Sequence, residues 1–255
     1  MRVSYSDAYV DTTVAFDTFR KAASIAASLR EDPIPGVELV QPTSVDGSAL
    51  RSVHTDEYVD AVLTGSPREL AASNELGWDD GLARAVCSST GGVRDAALTA
   101  LGSGGIAGSL SSGLHHAHPA HGRGYCTVNG LAVAAVAAIA AGASRVLVLD
   151  LDAHCGGGTA AIIDRLRHDP PTRDIGAAIE QVDVSVDPFD TYDTRPWARL
   201  TMSDGRGYLA TVASSLDSIA DASGVDLVLY NAGMDPHHRA GGVDGIDEGL
   251  SLIHI

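Results

Sequence analysis

Apolar residues recur at helical spacing from Thr18 to Leu29 and stop at the Pro-rich break Asp32 to Pro35, predicting an early helix with Val3 to Val10 as an opening strand. Ser48 to Leu63, with Ala49, Leu50, Val53, Tyr58 and Val59, predicts a second helix ending near Gly65. Glu75 to Leu101 predicts a third, interrupted at Gly91 and Gly92. Beyond it the alternation tightens. Asn129 to Ala141 reads as a helix, Arg145 to Leu149 as a strand covered on both faces, and Gly158 to Leu166 as a helix. Val182 to Val186 reads as a strand, Gly207 to Ala222 as a helix and Asp226 to Tyr230 as another buried strand. Strands alternating with helices imply an α/β fold with a mostly parallel sheet and right-handed crossovers.

The Gly/Ser stretch Gly102 to Gly113 leads into a His-rich segment without a change of composition, so it reads as a site loop rather than a linker. No internal repeat is present, and 255 residues that are 45% hydrophobic suit one domain. Only 5% of residues are aromatic against 28 glycines, so the core must rest on small aliphatic side chains in helix-on-sheet layers.

Charge narrows the partners. Seventeen basic against thirty-three acidic side chains give a net charge of -16, which repels a phosphate backbone and removes nucleic acid from the expected partners. The same field mildly favours cationic substrates, although plain solubility is the commoner reason for an acidic balance. Cys87, Cys126 and Cys155 are too few and too scattered for a disulfide framework, which points to a reducing, cytoplasmic compartment. Gly130 to Ala143 is the most apolar stretch and is too short for a bilayer, so no membrane span is expected.

Candidate chemistry collects at strand ends. Asp150-Leu-Asp152-Ala-His154 stands where an apolar strand runs out into Gly156-Gly157-Gly158, and ligands in open α/β sheets gather at such carboxyl ends. Residues two apart project to one side, so Asp152 and His154 can converge on one cation with Asp150 supporting them; helix capping is the bland alternative. A second strand end delivers Asp235 in Asn231-Ala-Gly233-Met-Asp235. Two Asp and one His leave a fourth position open, as catalytic zinc requires. The third feature is Gly113-Leu-His115-His116-Ala-His118-Pro, followed by Gly122-Arg-Gly124-Tyr125-Cys126. A neutral imidazole there could take a proton from water, while His118 and His121 read as loop residues.

Taken in order, Gly-Leu-His115-His116-Ala, Gly124-Tyr-Cys126-x-x-Asn129, Asp150-x-Asp152-x-His154-x-Gly and Asn231-Ala-Gly-x-Asp235 resemble the histone deacetylase family. Val53-His54-Thr55-x-x-Tyr58 resembles another family segment, and the wording is most similar to the class IV branch. The likeness runs from about residue 3 to about residue 249. It implies the three-layer α/β/α arginase/deacetylase fold and a single domain over residues 1–249. It also implies a zinc-dependent hydrolase that removes acetyl or longer acyl groups from acyl-lysine or an acetylpolyamine. Asp152, His154 and Asp235 would hold Zn2+, or Fe2+ in its place, and His116 would be the general base. His115, polarised by Asp150, would support it. Gly124, through its carbonyl, and Tyr125 would line the acyl channel, and a structural K+ would sit near Asp150, Asp152, His154 and Ser185.

The sequence also departs from the family. No Tyr follows Asp235, where relatives carry an oxyanion-stabilising Tyr in a Gly-rich loop, so the chain reads as lacking its C-terminal part. Gly241-Gly242-Val-Asp244-Gly245-Ile246 still continues the family pattern. Leu250 to Ile255 does not, and is expected to be a non-native tail resembling one reading frame of a sequencing adapter. Gly157 stands where many relatives carry Asp or Asn to orient the base histidine. Three alternatives stay open: a two-metal ureohydrolase of the same fold, which needs an Asp where Gly156 stands, a non-catalytic acyl-binding homologue, and a metal-free hydrolase using Ser111 or Ser112.

Overall fold

Among the described residues of the computed structural model, every pairing between strands is parallel. The structure describes residues 1–14, 17–111, 114–219 and 224–240. Ser112, Gly113, the 241–246 segment and the expected tail 250–255 therefore lie outside the described residues. Two compact units emerge, residues 1–143 and residues from Ser144 onward.

In the first unit β1 (Arg2–Ser4) lies between β2 (Glu38–Val40) and β3 (Ala107–Ser109). The opening strand is shorter than expected. Ser6 caps a 3-10 turn at Asp7–Val10 instead, its hydroxyl accepting from the Ala8 N–H at 3.2 Å. Helix α1 (Asp17–Glu31) fills the predicted span. The predicted second helix is two, α2 (Gly47–Arg51) capped by Asp46 and α3 (Asp56–Thr64) capped by Thr55, because each cap restarts the hydrogen-bond ladder. Gly65 closes α3 in the left-handed region at φ 74°. The short α4 (Arg68–Ala71) precedes α5 (Asp80–Ser103), which runs through Gly91 and Gly92 without a break.

Those two glycines serve close approach, not interruption. A Cβ at Gly91 would stand 2.1 Å from the Thr43 carbonyl, and one at Gly92 would stand 1.7 Å from Tyr9 Oη. Helix α6 (Gly130–Ala140), capped by Asn129, packs along α5. The core beneath includes Leu50, Tyr58, Val62 and Leu82, all fully buried, and each aliphatic chain among them contributes about 1.5–3 kcal/mol by leaving water.

The second unit carries a four-stranded sheet ordered β6 (Ala198–Met202), β5 (Ile179–Ser185), β4 (Val146–Asp150), β7 (Leu227–Asn231). Helices α7 (Gly157–His168), α8 (Arg173–Ala177) and α9 (Tyr208–Asp217) accompany it. Helix α9 ends at Asp217, short of the expected Ala222. Val146, Leu147 and Val148 on inner strand β4 are buried, as a strand covered on both faces requires. Tyr208 packs with Leu151, Val184 and Val212, and its hydroxyl donates to the Leu151 carbonyl at 3.2 Å. The register sets Asp150 beside Asp183 on one side and Asn231 on the other, so three polar residues form one row across three neighbouring strands. Among the described residues no helix is long and apolar enough to cross a membrane.

Candidate metal centre

Asp150 ends β4 fully buried and shapes the loop after it. Its Oδ1 accepts from the Asn231 side chain at 2.9 Å and from the Asp152 N–H at 3.2 Å. The carboxylate therefore braces the strand end and the start of the loop that carries Asp152 and His154.

Asp152 Oδ1 then accepts from the His154 N–H at 3.0 Å and stands 3.1 Å from His154 Nδ1. Asp235, arriving after β7, places Oδ2 3.0 Å from the same nitrogen, while its Oδ1 accepts from the Ala153 N–H at 3.1 Å. Ligand atoms of Asp152, His154 and Asp235 all lie within 4.8 Å of one another, which no other group of three His, Cys, Asp or Glu achieves among the described residues. Asp152 is 13% exposed, Asp235 31% and His154 37%, so the trio is rooted in the protein and open on one side.

Electrostatics agree with the geometry. Hydrogen bonding to Asp152 first and to Asp235 second pushes the His154 imidazole up to about 10 against the opposing effect of burial. Nδ1 sits in a field built for positive charge. Two hard oxygen donors and one borderline nitrogen suit zinc with a position left for substrate or water.

The glycines around the trio are fitted to it. A Cβ at Gly233 would stand 2.6 Å from Asp152 Oδ2 and 2.9 Å from Asp235 Oδ1, within the cradle itself. A Cβ at Gly156 would meet Gln181 Nε2 at 2.6 Å and Asp150 Oδ2 at 2.7 Å. An aspartate at 156, which a two-metal ureohydrolase needs, would have to displace the buried ends of Gln181 and Asp150 and stand beside the Asp150 and Asp183 carboxylates. Behind the loop, Asp183 Oδ2 accepts from the Gly156 N–H at 2.8 Å, and Ser185 Oγ donates to the His154 carbonyl at 3.1 Å. Cys155 is buried, with its thiol pushed up to about 11, first by burial.

Gly157, the departure from the family pattern, has a physical reason. A Cβ there would stand 2.3 Å from the Asp190 carbonyl and 2.9 Å from Asp190 Oδ1. Asp190 is itself 5% exposed, takes the left-handed φ of 59°, and accepts from the Gly158 N–H through Oδ2 at 3.1 Å. A carboxylate thus stands beside position 157 although it is carried by residue 190. Sequence reading misses it, because nothing in the chain between α7 and Asp190 signals that return.

The remaining candidates belong to the first unit. His115 and His116 are 2% and 5% exposed, with ring centroids 3.9 Å apart. Before them Leu114 takes φ 93°, rare for a residue with a side chain, and donates its N–H to Cys126 Sγ at 3.1 Å. Gly124 and Tyr125 form the centre of a tight turn closed by paired bonds between Arg123 and Cys126 at 3.1 and 2.8 Å. Both have positive φ, 50° and 64°, which is the signature of a type I′ turn. The glycine accepts that conformation freely, whereas Tyr125 is strained into it and is 45% exposed. His118 and His121 stack at 4.8 Å across their loop, as expected of loop residues.

Residues 16–171 match the histone deacetylase domain family. An uncharacterized protein of Picosynechococcus sp. is 32% identical over 214 residues, covering 82% of this chain and 68% of its own length. Histone deacetylase 15 of Arabidopsis thaliana is 33% identical over 233 residues, covering 83% of this chain, which spans only 41% of that relative. The crystal structure of the HDA15 HD domain superposes with a TM-score of 0.73 at 23% identity, over 92% of this chain and 74% of that one, and shares the three-layer α/β fold with parallel strands.

Proposed function

Because this chain belongs to the histone deacetylase family of hydrolases, we propose that it is a zinc-dependent deacylase that removes acetyl or longer acyl groups from an amine, either acyl-lysine or an acetylpolyamine. One observation carries the reading: carboxylates from two strand ends and one imidazole Nδ1 converge within 4.8 Å. Asp152, His154 and Asp235 would hold the metal. Zinc bound there supplies a Lewis acid for the acyl carbonyl and acidifies water.

The chain's own groups divide the remaining work. His116 takes the proton of the attacking water on its imidazole and later returns it to the departing amine, worth about 10²- to 10⁴-fold in rate. His115 supports that imidazole. Asp150 braces the start of the ligand loop. Tyr125 and the Gly124 carbonyl line the path of the acyl group. Backbone oxygens near Asp150, Asp152 and His154 and the Ser185 hydroxyl would hold a structural potassium ion; Ser185 Oγ lies 3.1 Å from the His154 carbonyl.

The test is metal analysis beside turnover on a panel of acetyl-lysine peptides and acetylpolyamines. Asp152→Ala is expected to lose zinc, and His116→Ala to keep one zinc per chain while losing at least about a hundredfold in kcat. An Asp152→Ala protein that retains stoichiometric zinc would overturn the metal assignment. Wild-type kcat in His116→Ala would remove the base.

A further inference from the structure

His54 belongs to a segment that no catalytic role has yet absorbed. It lies in the turn between α2 and α3 and is 1% exposed. Its ring makes two bonds of opposite sense. The Asn129 N–H donates to Nε2 at 3.0 Å, and a backbone N–H can do nothing else, so Nε2 is bare. Nδ1 faces the His118 carbonyl at 2.9 Å, and a carbonyl can only accept, so Nδ1 carries the proton. Geometry thus fixes His54 as the neutral Nδ1–H tautomer.

Asn129, held by His54, grips the same loop by another route. Its Nδ2 donates to the carbonyls of His115 at 3.4 Å and Ala117 at 3.3 Å, while its Oδ1 accepts from the Ala132 N–H as the cap of α6. The Thr55 N–H donates to the Pro119 carbonyl at 2.8 Å. Carbonyls of His115, Ala117, His118 and Pro119 are therefore all anchored, two by Asn129 and two by the turn containing His54. The Tyr58 ring meets the His54 ring edge-on at 5.5 Å and its hydroxyl donates to the Thr127 carbonyl at 2.6 Å, which pins the imidazole in place.

We propose that His54 is a positioning residue for the His115–His116 pair, acting through its Nδ1–H bond to the His118 carbonyl and through Asn129. The proposal rests on His116 being the general base. A buried group that must donate at one edge and accept at the other is poorly replaced by an apolar ring, since that would leave the His118 carbonyl and the Asn129 N–H unpaired.

The test compares His54→Phe, His54→Gln and His116→Ala in the full chain. His54→Phe is expected to lower kcat about a hundredfold on an acetyl-lysine peptide, with KM and zinc per chain unchanged. His54→Gln, which keeps an acceptor near the Nε2 position, is expected to recover part of that loss. Nitrogen-15 chemical shifts should show a protonated Nδ1 and a bare Nε2 at residue 54, and His54→Phe should move the ring resonances of His115 and His116. Unmoved His115 and His116 resonances, or wild-type kcat in a folded His54→Phe protein, overturn the proposal. Full turnover in His116→Ala removes the underlying base assignment instead, and the resonance shifts still decide whether His54 positions the pair.

Discussion

Gly233 shows at the scale of one residue how tightly the candidate centre is drawn. A methyl group there would press on Asp152 Oδ2 at 2.6 Å, so Gly233→Ala should weaken zinc binding about 10- to 100-fold while every ligand remains in place, measured by competition with a chromophoric chelator. Gly157 makes a different prediction. Its neighbour is the backbone carbonyl of Asp190 at 2.3 Å, which has little freedom to yield, so Gly157→Ala should cost about 1–3 kcal/mol in a denaturant titration. Gly157→Asp should not help either, because Asp190 already fills the space. Asp152, His154 and Asp235 were legible in the sequence as a candidate set, since Asp152 and His154 stand two apart after one strand and Asp235 follows a second. Asp190 was not, and His54 was legible only as part of a family-like segment, without its contacts. One reaches Gly158 from a turn with a left-handed backbone, and the other reaches Asn129 across a fold whose contacts no local spacing encodes.

Among the elements, α5 has the most exacting start. Asp79 accepts from the Leu82 N–H at 2.6 Å, from the Thr13 N–H at 2.8 Å and from the Thr12 hydroxyl at 3.0 Å. Burial pushes this carboxyl up, but the bonds from Thr13, Leu82 and Thr12 outweigh it and hold the pKa down to about 2 against the usual 3.8. A depressed carboxyl stabilises the fold above its unfolded pKa and loses that contribution as pH falls through the folded value. Asp79→Ala should therefore cost about 1–2 kcal/mol near neutrality, and its melting temperature should converge with wild type as pH falls from 4 toward 2. Elements with long periodic or wholly apolar runs, α1, α6 and β4, lie close to where the sequence puts them. Three-residue β2 and β3 are too short for a period, and β6 mixes Arg199 and Thr201 into its run, so none announced itself. The capped turn that splits α2 from α3 was hidden because apolar spacing continues across it.

For the whole molecule, a net charge of -16 acts on encounter rather than on folding. If the physiological amine keeps positive charges beyond its acyl group, KM should rise several-fold between about 0.05 and about 0.5 M salt, where the screening length shortens from about 14 Å to about 4 Å. A neutral acyl amide of the same length should show no such rise, and equal salt responses would reduce the charge to a matter of solubility. Composition does not change near residue 143, so the division into two units could not be read from the sequence alone. Each unit nevertheless carries a shielded thiol, Cys126 in the first and Cys155 in the second, the latter with its pKa near 11. Alkylating reagents at neutral pH should reach either one only during transient openings. Mass-resolved labelling of the two sulfurs would then time each half separately, and would reveal whether they breathe together or apart without any added probe.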